Sequence, residues 1–95
     1  MDRVSLQKLE KYFRISEEAL AKAKLTPSKI KLGNAREDFL DMIERYIYDA
    51  KHFRDKGDLV NAFAAINYAH GWLDAGARLG LWDVKDSRLF TVDDT

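Results

Sequence analysis

The residues best suited to chemistry lie together in one stretch, NYAHGWLDAG, at positions 67–76. It holds an amide, an imidazole, an indole and a carboxylate. His70 and Asp74 stand four residues apart, so a helix places them on one face, where they can form a hydrogen bond. The alanines and glycines of the stretch also suit a helix that packs closely against another backbone. The residue types therefore leave two interpretations open, a binding surface and a tightly packed helix.

Arg45 and His52 form a second pair, separated by six residues on one predicted helix. Their spacing resembles the loose Arg-x(4–6)-His pattern of the HEPN ribonucleases, which are also small helical bundles that dimerise. Asp41 and Asp49 lie four residues to either side of Arg45, and exposed pairs of this kind contribute about 0.3–0.5 kcal/mol each. An ordinary solvated helix face explains the same residues. A HEPN-like ribonuclease, or an RNA-binding accessory, is therefore the alternative function.

Four side chains on two predicted helices raise the question of a metal site. They are Asp49, His52, His70 and Asp74. Metal sites in helical bundles usually combine Glu-x-x-His motifs with inward-pointing carboxylates, whereas Asp49 and His52 fall on a polar helix face. The sequence shows no catalytic serine–histidine–aspartate or cysteine–histidine arrangement, no glycine-rich phosphate loop and no zinc spacing. We therefore expect no metal and no cofactor, and the sequence favours a protein that is not an enzyme.

Composition limits the classes of partner. The chain has 95 residues, enough for one domain, and its 16 basic residues balance 16 acidic ones. No net field therefore attracts nucleic acid or an anionic membrane, and nucleic acid is not a favoured partner. There is no cysteine for a disulfide or a thiolate metal site. With neither a signal-peptide core nor a membrane-spanning apolar run, we expect a cytoplasmic protein that does not enter a membrane.

Apolar residues recur every three or four positions in three stretches, which is the spacing of an amphipathic helix. The predicted helices cover about 3–24, 35–56 and 59–80. Leu6, Leu9 and Phe13 begin the core stripe of the first helix. Asn34 and Glu37 form a capping-box pattern at the start of the second.

The linkers between these helices decide the fold class. Asp58 follows Gly57 directly, so the second and third helices must run antiparallel, and Gly80 ends the third. Short loops and matched lengths predict an all-α, up-and-down three-helix bundle over 1–82, with a short extended C-terminal tail. That tail, 83–95, either packs on the bundle or is partly disordered. Within it, the segment RLFTV has the composition of extended backbone.

The third helix is apolar over an unusually wide arc. Tyr68, Trp72 and Leu79 extend its core stripe to a second flank, and two neighbouring helices leave such an arc partly uncovered. Burying one such side chain contributes roughly 1.5–3 kcal/mol, so we expect a further cover. Three covers fit: a second copy of the chain, another protein, or the tail through Leu89, Phe90 and Val92.

Two glycines inside this helix also need a reason. Gly71 and Gly76 each cost about 1 kcal/mol relative to alanine within a helix. Close packing against another backbone is one explanation. The other is that they clear room for a ligand or partner beside Asn67 and Asp74.

The leading hypothesis from these features is a non-enzymatic module for protein interaction or self-association, and a dimer is one form of it. Tyrosine and tryptophan are enriched where binding energy concentrates. The candidate interaction residues are Asn67, Tyr68, His70, Trp72, Asp74, Arg78 and Leu79.

A local charge bias marks the first interhelical linker. Its cations, with no acid between them, are Lys22, Lys24, Lys29, Lys31 and Arg36. The tail supplies opposite charges at Asp83, Asp86, Asp93 and Asp94. Loose pairing of the linker with the acidic tail is one interpretation, and a contact with a phosphate backbone is the other.

A long run of the sequence is similar to a known family. YDAKHFRDKGDLVNAFAAINYAHGWLDAGARLGL, together with the tail LFTVDD, resembles the small archaeal family called domain of unknown function 357. The resemblance runs from about Tyr12 to Leu81. It implies a compact three-helix bundle, and it implies neither an activity nor any catalytic residue.

Overall fold

The computed structural model describes residues 5–91 and contains three α-helices in that range. They are α1 (Leu6–Leu25), α2 (Ala35–Asp55) and α3 (Leu59–Leu79). The predicted all-α three-helix bundle is confirmed, and there is no strand among residues 5–91. The predicted helix start near residue 3, and Val92, Asp93 and Asp94 of the tail, lie outside the described residues.

Side chains cap two of the three helices. The Ser5 hydroxyl and the Asp58 carboxylate each accept a hydrogen bond from the backbone N–H three residues on, at 3.1 and 3.2 Å. The predicted capping box at Asn34 and Glu37 is wrong, because the Asn34 side chain makes no capping hydrogen bond. Gly33, at φ +56°, turns the chain immediately before α2, and the first helical N–H bonds to a backbone carbonyl of that turn instead.

Helix α3 lies against both other helices and supplies the centre of the core. Ile66, Ala69 and Leu73 of α3 are fully buried. Toward α1, Phe63 meets Tyr12 edge-on, with ring centroids 5.0 Å apart. On the outer side of the bundle, two short ion pairs join α1 and α2. These are Lys24 with Glu44 at 2.8 Å and Lys51 with Glu17 at 2.7 Å.

The buried stripe of α1 begins one turn later than the periodicity predicts. Leu9 and Phe13 are buried, whereas Leu6 is 55% exposed. Leu6 is the first residue of the helix, one turn before core packing starts. Its place in the core was therefore wrongly predicted by periodicity, which carries no information about where the neighbouring helices end.

Trp82 fixes the position of the chain segment that follows α3. Its side chain is fully buried, and its indole N–H donates to the Leu73 carbonyl at 3.0 Å. The ring lies against Gly76, where an added Cβ would overlap it. Gly76 therefore makes room for a side chain of the same molecule, which settles the predicted alternatives for this glycine in favour of packing.

The rest of the described tail also packs on the bundle. Val84, Leu89 and Phe90 are buried. The segment RLFTV, predicted as extended, enters a turn at its first residues, because the backbone N–H groups of Leu89 and Phe90 both donate to the Asp86 carbonyl. The Asp86 carboxylate closes the turn by accepting from the Arg88 N–H at 3.1 Å.

The two glycines of α3 provide a matched test of this packing. We expect Gly76→Ala to lower the free energy of unfolding by about 1–3 kcal/mol, since the methyl group meets the Trp82 ring. Gly71→Ala should raise it by roughly 0.5–1 kcal/mol, because nothing lies within 4 Å of the added carbon. Urea denaturation at sub-micromolar protein isolates the intramolecular effect. Equal midpoints for the two variants would contradict the assignment of Trp82.

Candidate functional site

The structure adds a buried serine, Ser16, to the pair of His70 and Asp74 predicted from their spacing on one helix. The Ser16 hydroxyl of α1 lies 3.3 Å from Nδ1 of His70 on α3. Nε2 of the same ring lies 3.8 Å from a carboxylate oxygen of Asp74. Ser16 is 54 residues from His70, so only helix packing makes them neighbours and no local pattern in the sequence links them.

The burial of Ser16 and the contacts of Asp74 indicate that these residues have a structural role. Ser16 is only 1% exposed, so a substrate has no path to its hydroxyl in this conformation. Asp74 is engaged from the other side, where its carboxylate accepts hydrogen bonds from the Thr91 N–H at 2.8 Å and the Thr91 hydroxyl at 2.9 Å. Ser16, His70, Asp74 and Thr91 thus join α1, α3 and the tail. A buried polar group needs such partners, because leaving it unsatisfied costs roughly 1–3 kcal/mol.

The Arg45 and His52 pair lies on the exposed surface of α2. Nε of Arg45 donates to Asp41 at 2.9 Å, which is the surface pair expected from their spacing. His52 is exposed, and its nearest ring partner is Phe53, with centroids 6.4 Å apart. Among residues 5–91, no three His, Cys, Asp or Glu side chains are grouped as metal ligands would be.

Most of the linker cations are already paired within the molecule. Lys22 binds Asp86 of the tail at 3.1 Å, Lys29 reaches Asp83 at 3.5 Å, and Lys24 meets Glu44 of α2. The predicted pairing of linker and acidic tail is thus present for two lysines. Lys31 remains exposed. The linker does not present a continuous free cationic surface.

Arg36, the fifth predicted cation, is a structural arginine. Its guanidinium donates to the Leu81 carbonyl at 2.6 Å, to the Ala23 carbonyl at 3.0 Å and to the Lys24 carbonyl at 3.3 Å. The two α1 carbonyls belong to its last turn, where the helix leaves acceptors without partners. One planar cation therefore joins the end of α1, the start of α2 and the chain after α3.

Ion pairs between α1 and the tail shift three side-chain pKa values. The hydrogen bond from Arg88, 2.6 Å long, lowers the pKa of the Glu18 carboxyl below its ordinary 4.5. The Lys22 ammonium lowers the pKa of Asp86 below its ordinary 3.8. Glu18 in turn raises the pKa of the Arg88 guanidinium. All of these groups are near the surface, so they orient the tail more than they hold it.

Within the flank of Tyr68, Trp72 and Leu79, aromatic side chains of α2 pack on Trp72 and Tyr68. Trp72 is half-buried and meets Phe39 edge-on, with centroids 4.8 Å apart. Tyr68 meets Tyr46 in the same way at 4.6 Å, yet it remains 55% exposed. Leu79 is 45% exposed. The tail instead contacts α1 and the Asp74 side of α3.

The surface that α3 leaves exposed is almost free of charge. Its exposed residues are Val60, Asn61, Ala64, Asn67, Tyr68, Gly71, Ala75, Arg78 and Leu79. Arg78 alone carries a charge. By contrast, the exposed charges of α2 are Glu37, Asp38, Asp41, Glu44, Arg45, Asp49 and Asp55. We call the α3 set the neutral face. Charged residues are depleted at the centres of protein interfaces, and the neutral face shares that composition.

A shallow groove between α1 and α2 is a second surface, which the sequence analysis missed. Leu20, Ala21, Ile47 and Tyr48 contribute its apolar lining, and it encloses about 370 Å³. The Lys24–Glu44 and Glu17–Lys51 ion pairs line its edges. Only the register of two antiparallel helices brings these residues together, so no local pattern announces the groove.

The fold and its polar contacts place the protein in the class of small three-helix bundles. Its internal polar clusters connect segments of its own chain. The chain belongs to the family described as protein of unknown function DUF357, whose model matches residues 11–82. The resemblance to this family that runs from about Tyr12 to Leu81 is thereby confirmed. No curated protein and no solved structure matches the chain. No helix within residues 5–91 combines the length and apolar character needed to cross a membrane.

Arg36 and Arg45 offer a matched comparison of a structural and a surface arginine. We expect Arg36→Lys to lower the free energy of unfolding by about 1–3 kcal/mol, because an ammonium cannot reach three separate carbonyls in the guanidinium's planar geometry. Arg45→Lys should change it by less than about 0.5 kcal/mol. Urea denaturation measures both. A loss no larger for Arg36→Lys than for Arg45→Lys would contradict the role of Arg36.

The tail ion pairs predict a specific pH response. Carboxyls with lowered folded-state pKa values stabilise the docked tail above their ordinary values of 4.5 and 3.8. That contribution is lost as the pH falls through the lowered values. Carbon NMR titration should find Glu18 below 4.5 in the wild type and closer to 4.5 in Arg88→Gln, with Asp86 still lowered by Lys22. Glu18 titrating identically in both proteins would overturn the assignment.

Proposed function

We propose that the protein is a non-enzymatic protein-interaction module that docks a partner on the neutral face of α3. The observation that carries the proposal is that Arg78 is the one charged residue on this face, whereas the exposed surfaces of α1 and α2 are dominated by charge. A face without charges loses little hydration when a partner covers it, because few ionic groups must leave water.

The large side chains of the face are suited to binding. Tyr68 combines a large ring with a hydroxyl, and tyrosine is among the residues that carry most binding energy in interfaces. Leu79 adds aliphatic surface, and Asn67 and Arg78 can supply a polar rim. Trp72 lies beneath, held against Phe39, and acts as support for the surface.

Besides Trp72, two more of the seven predicted interaction residues support the fold in this proposal and do not contact the partner. His70 and Asp74 are engaged by Ser16 and Thr91, so they support the fold beside the docking surface. The exposed residues that remain from the predicted set are Asn67, Tyr68, Arg78 and Leu79.

The ribonuclease or RNA-binding alternative receives less support from the same surface. Arg45 is paired with Asp41, and six of the seven exposed charges on α2 are acidic, so this face repels a phosphate backbone. Four of the five linker cations are held by intramolecular contacts.

Site-specific photo-cross-linking tests the docking function. The photoreactive residue p-benzoylphenylalanine replaces Tyr68 in the full chain, expressed in its own cells, and replaces Tyr48 of α2 in a matched control. Tyr48 is 72% exposed and therefore at least as accessible. We expect a discrete adduct to a polypeptide, of any identity, from position 68 and none from position 48.

Absence of an adduct at position 68, or equal adducts at both positions, would contradict the proposed docking surface. Far-UV circular dichroism of both substituted proteins checks that each retains its helices. Because both tyrosines are exposed, neither replacement disturbs the core.

A further inference from the structure

We infer that the partner seated on the neutral face is a second copy of this chain, with the two α3 helices antiparallel. The inference rests on the proposed function and specifies its partner. In this arrangement Tyr68 of each copy lies against Ala75 of the other, and Leu79 lies against Ala64.

When two α3 helices run antiparallel, the large exposed side chains of one helix lie opposite the small ones of the other. Ala64 and Tyr68 are four residues apart, as are Ala75 and Leu79, and all four are exposed. Reading a second α3 in the opposite direction therefore aligns both large side chains with alanines at once. Large side chains facing small ones is the complementarity that lets two helices interdigitate.

Gly71 lies next to the centre of this register and is not explained by the packing of one chain. Gly76 makes room for Trp82, but an added Cβ at Gly71 meets no atom within 4 Å. A glycine in a helix interior costs about 1 kcal/mol relative to alanine. At the centre of an α3–α3 contact, its missing side chain lets the two backbones approach most closely.

Charge selects the antiparallel direction. The whole chain has equal numbers of acidic and basic residues, so two copies do not repel one another by net charge. In a parallel pair the two Arg78 side chains would lie side by side. In the antiparallel register they are separated along the axis by about 20 Å, which is beyond the screening length of about 8 Å at physiological salt.

The molecule is large enough for such an interface. Its extents are 41 × 28 × 21 Å, so the outline of its 41 × 21 Å side measures about 860 Å². A standard interface buries about 800 Å² per partner. The contact must therefore extend from α3 onto neighbouring α2 residues, and Tyr46 and Phe53 already line a common depression with Tyr68.

Sedimentation equilibrium of the untagged full chain tests the association. We expect twice the monomer mass of 11.0 kDa at micromolar concentration. Ala75→Lys places a charge inside the interface and should raise the dimer Kd roughly tenfold to hundredfold. Ala21→Lys, at an exposed alanine of α1, should leave it unchanged.

Single cysteines test the direction of the two helices, because the chain has none of its own. Gly71→Cys should form an interchain disulfide rapidly, since the two positions lie almost opposite one another. Leu79→Cys should not, because its copies are about 22 Å apart along the axis. Cross-linking of Leu79→Cys as fast as Gly71→Cys would overturn the antiparallel arrangement.

The two proposals fail in distinguishable ways. A wild-type chain that stays at 11.0 kDa at every concentration overturns self-docking. An adduct from position 68 to a different protein then leaves the proposed function standing with another partner. A dimer that Ala75→Lys does not weaken also overturns this inference, since the copies would then associate elsewhere.

Discussion

The seating of Trp82 against Gly76 is the contact on which the rest of the structure depends. The indole is fully buried and bonded to the Leu73 carbonyl, so the chain after α3 has one direction in which to leave. That direction places the Leu81 carbonyl within reach of Arg36. It also brings the tail back along α1. Three later contacts follow from this path: Lys29 with Asp83, Lys22 with Asp86, and Asp74 with Thr91.

The docked tail determines which surfaces of the bundle remain exposed to solvent. It pairs with two of the linker cations, Lys22 and Lys29, so part of a basic sequence stretch is neutralised within the fold. It covers the Asp74 side of α3 and leaves Tyr68 and Leu79 partly exposed. What remains is a helix face with one charged residue, Arg78, on a molecule whose other two helices expose mostly charge. That contrast, more than any single residue, is what supports the proposed docking of a protein partner.

The cluster of Ser16, His70 and Asp74 shows that proximity of the right residue types does not by itself make a catalytic site. Ser16, His70 and Asp74 approach one another as a catalytic arrangement would, yet the serine is buried and the aspartate is occupied by Thr91. Catalysis needs a nucleophile that a substrate can reach. Here the same hydrogen-bonding capacity satisfies polar groups between two helices and the tail, which is what burial requires of them.

The sequence by itself determined the three helices, their order and most of their ends, because those features are local. Periodicity of three and four residues places a helix and its inner face, and Asp58 and Gly80 act within one turn of where they stand. Only the tertiary structure decided that Trp82 fills the space beside Gly76 and that Ser16 meets His70. It also decided that the described part of the tail binds α3 at Asp74. These outcomes depend on contacts between residues distant along the chain, and no pattern within a single helix records which neighbour will cover which side.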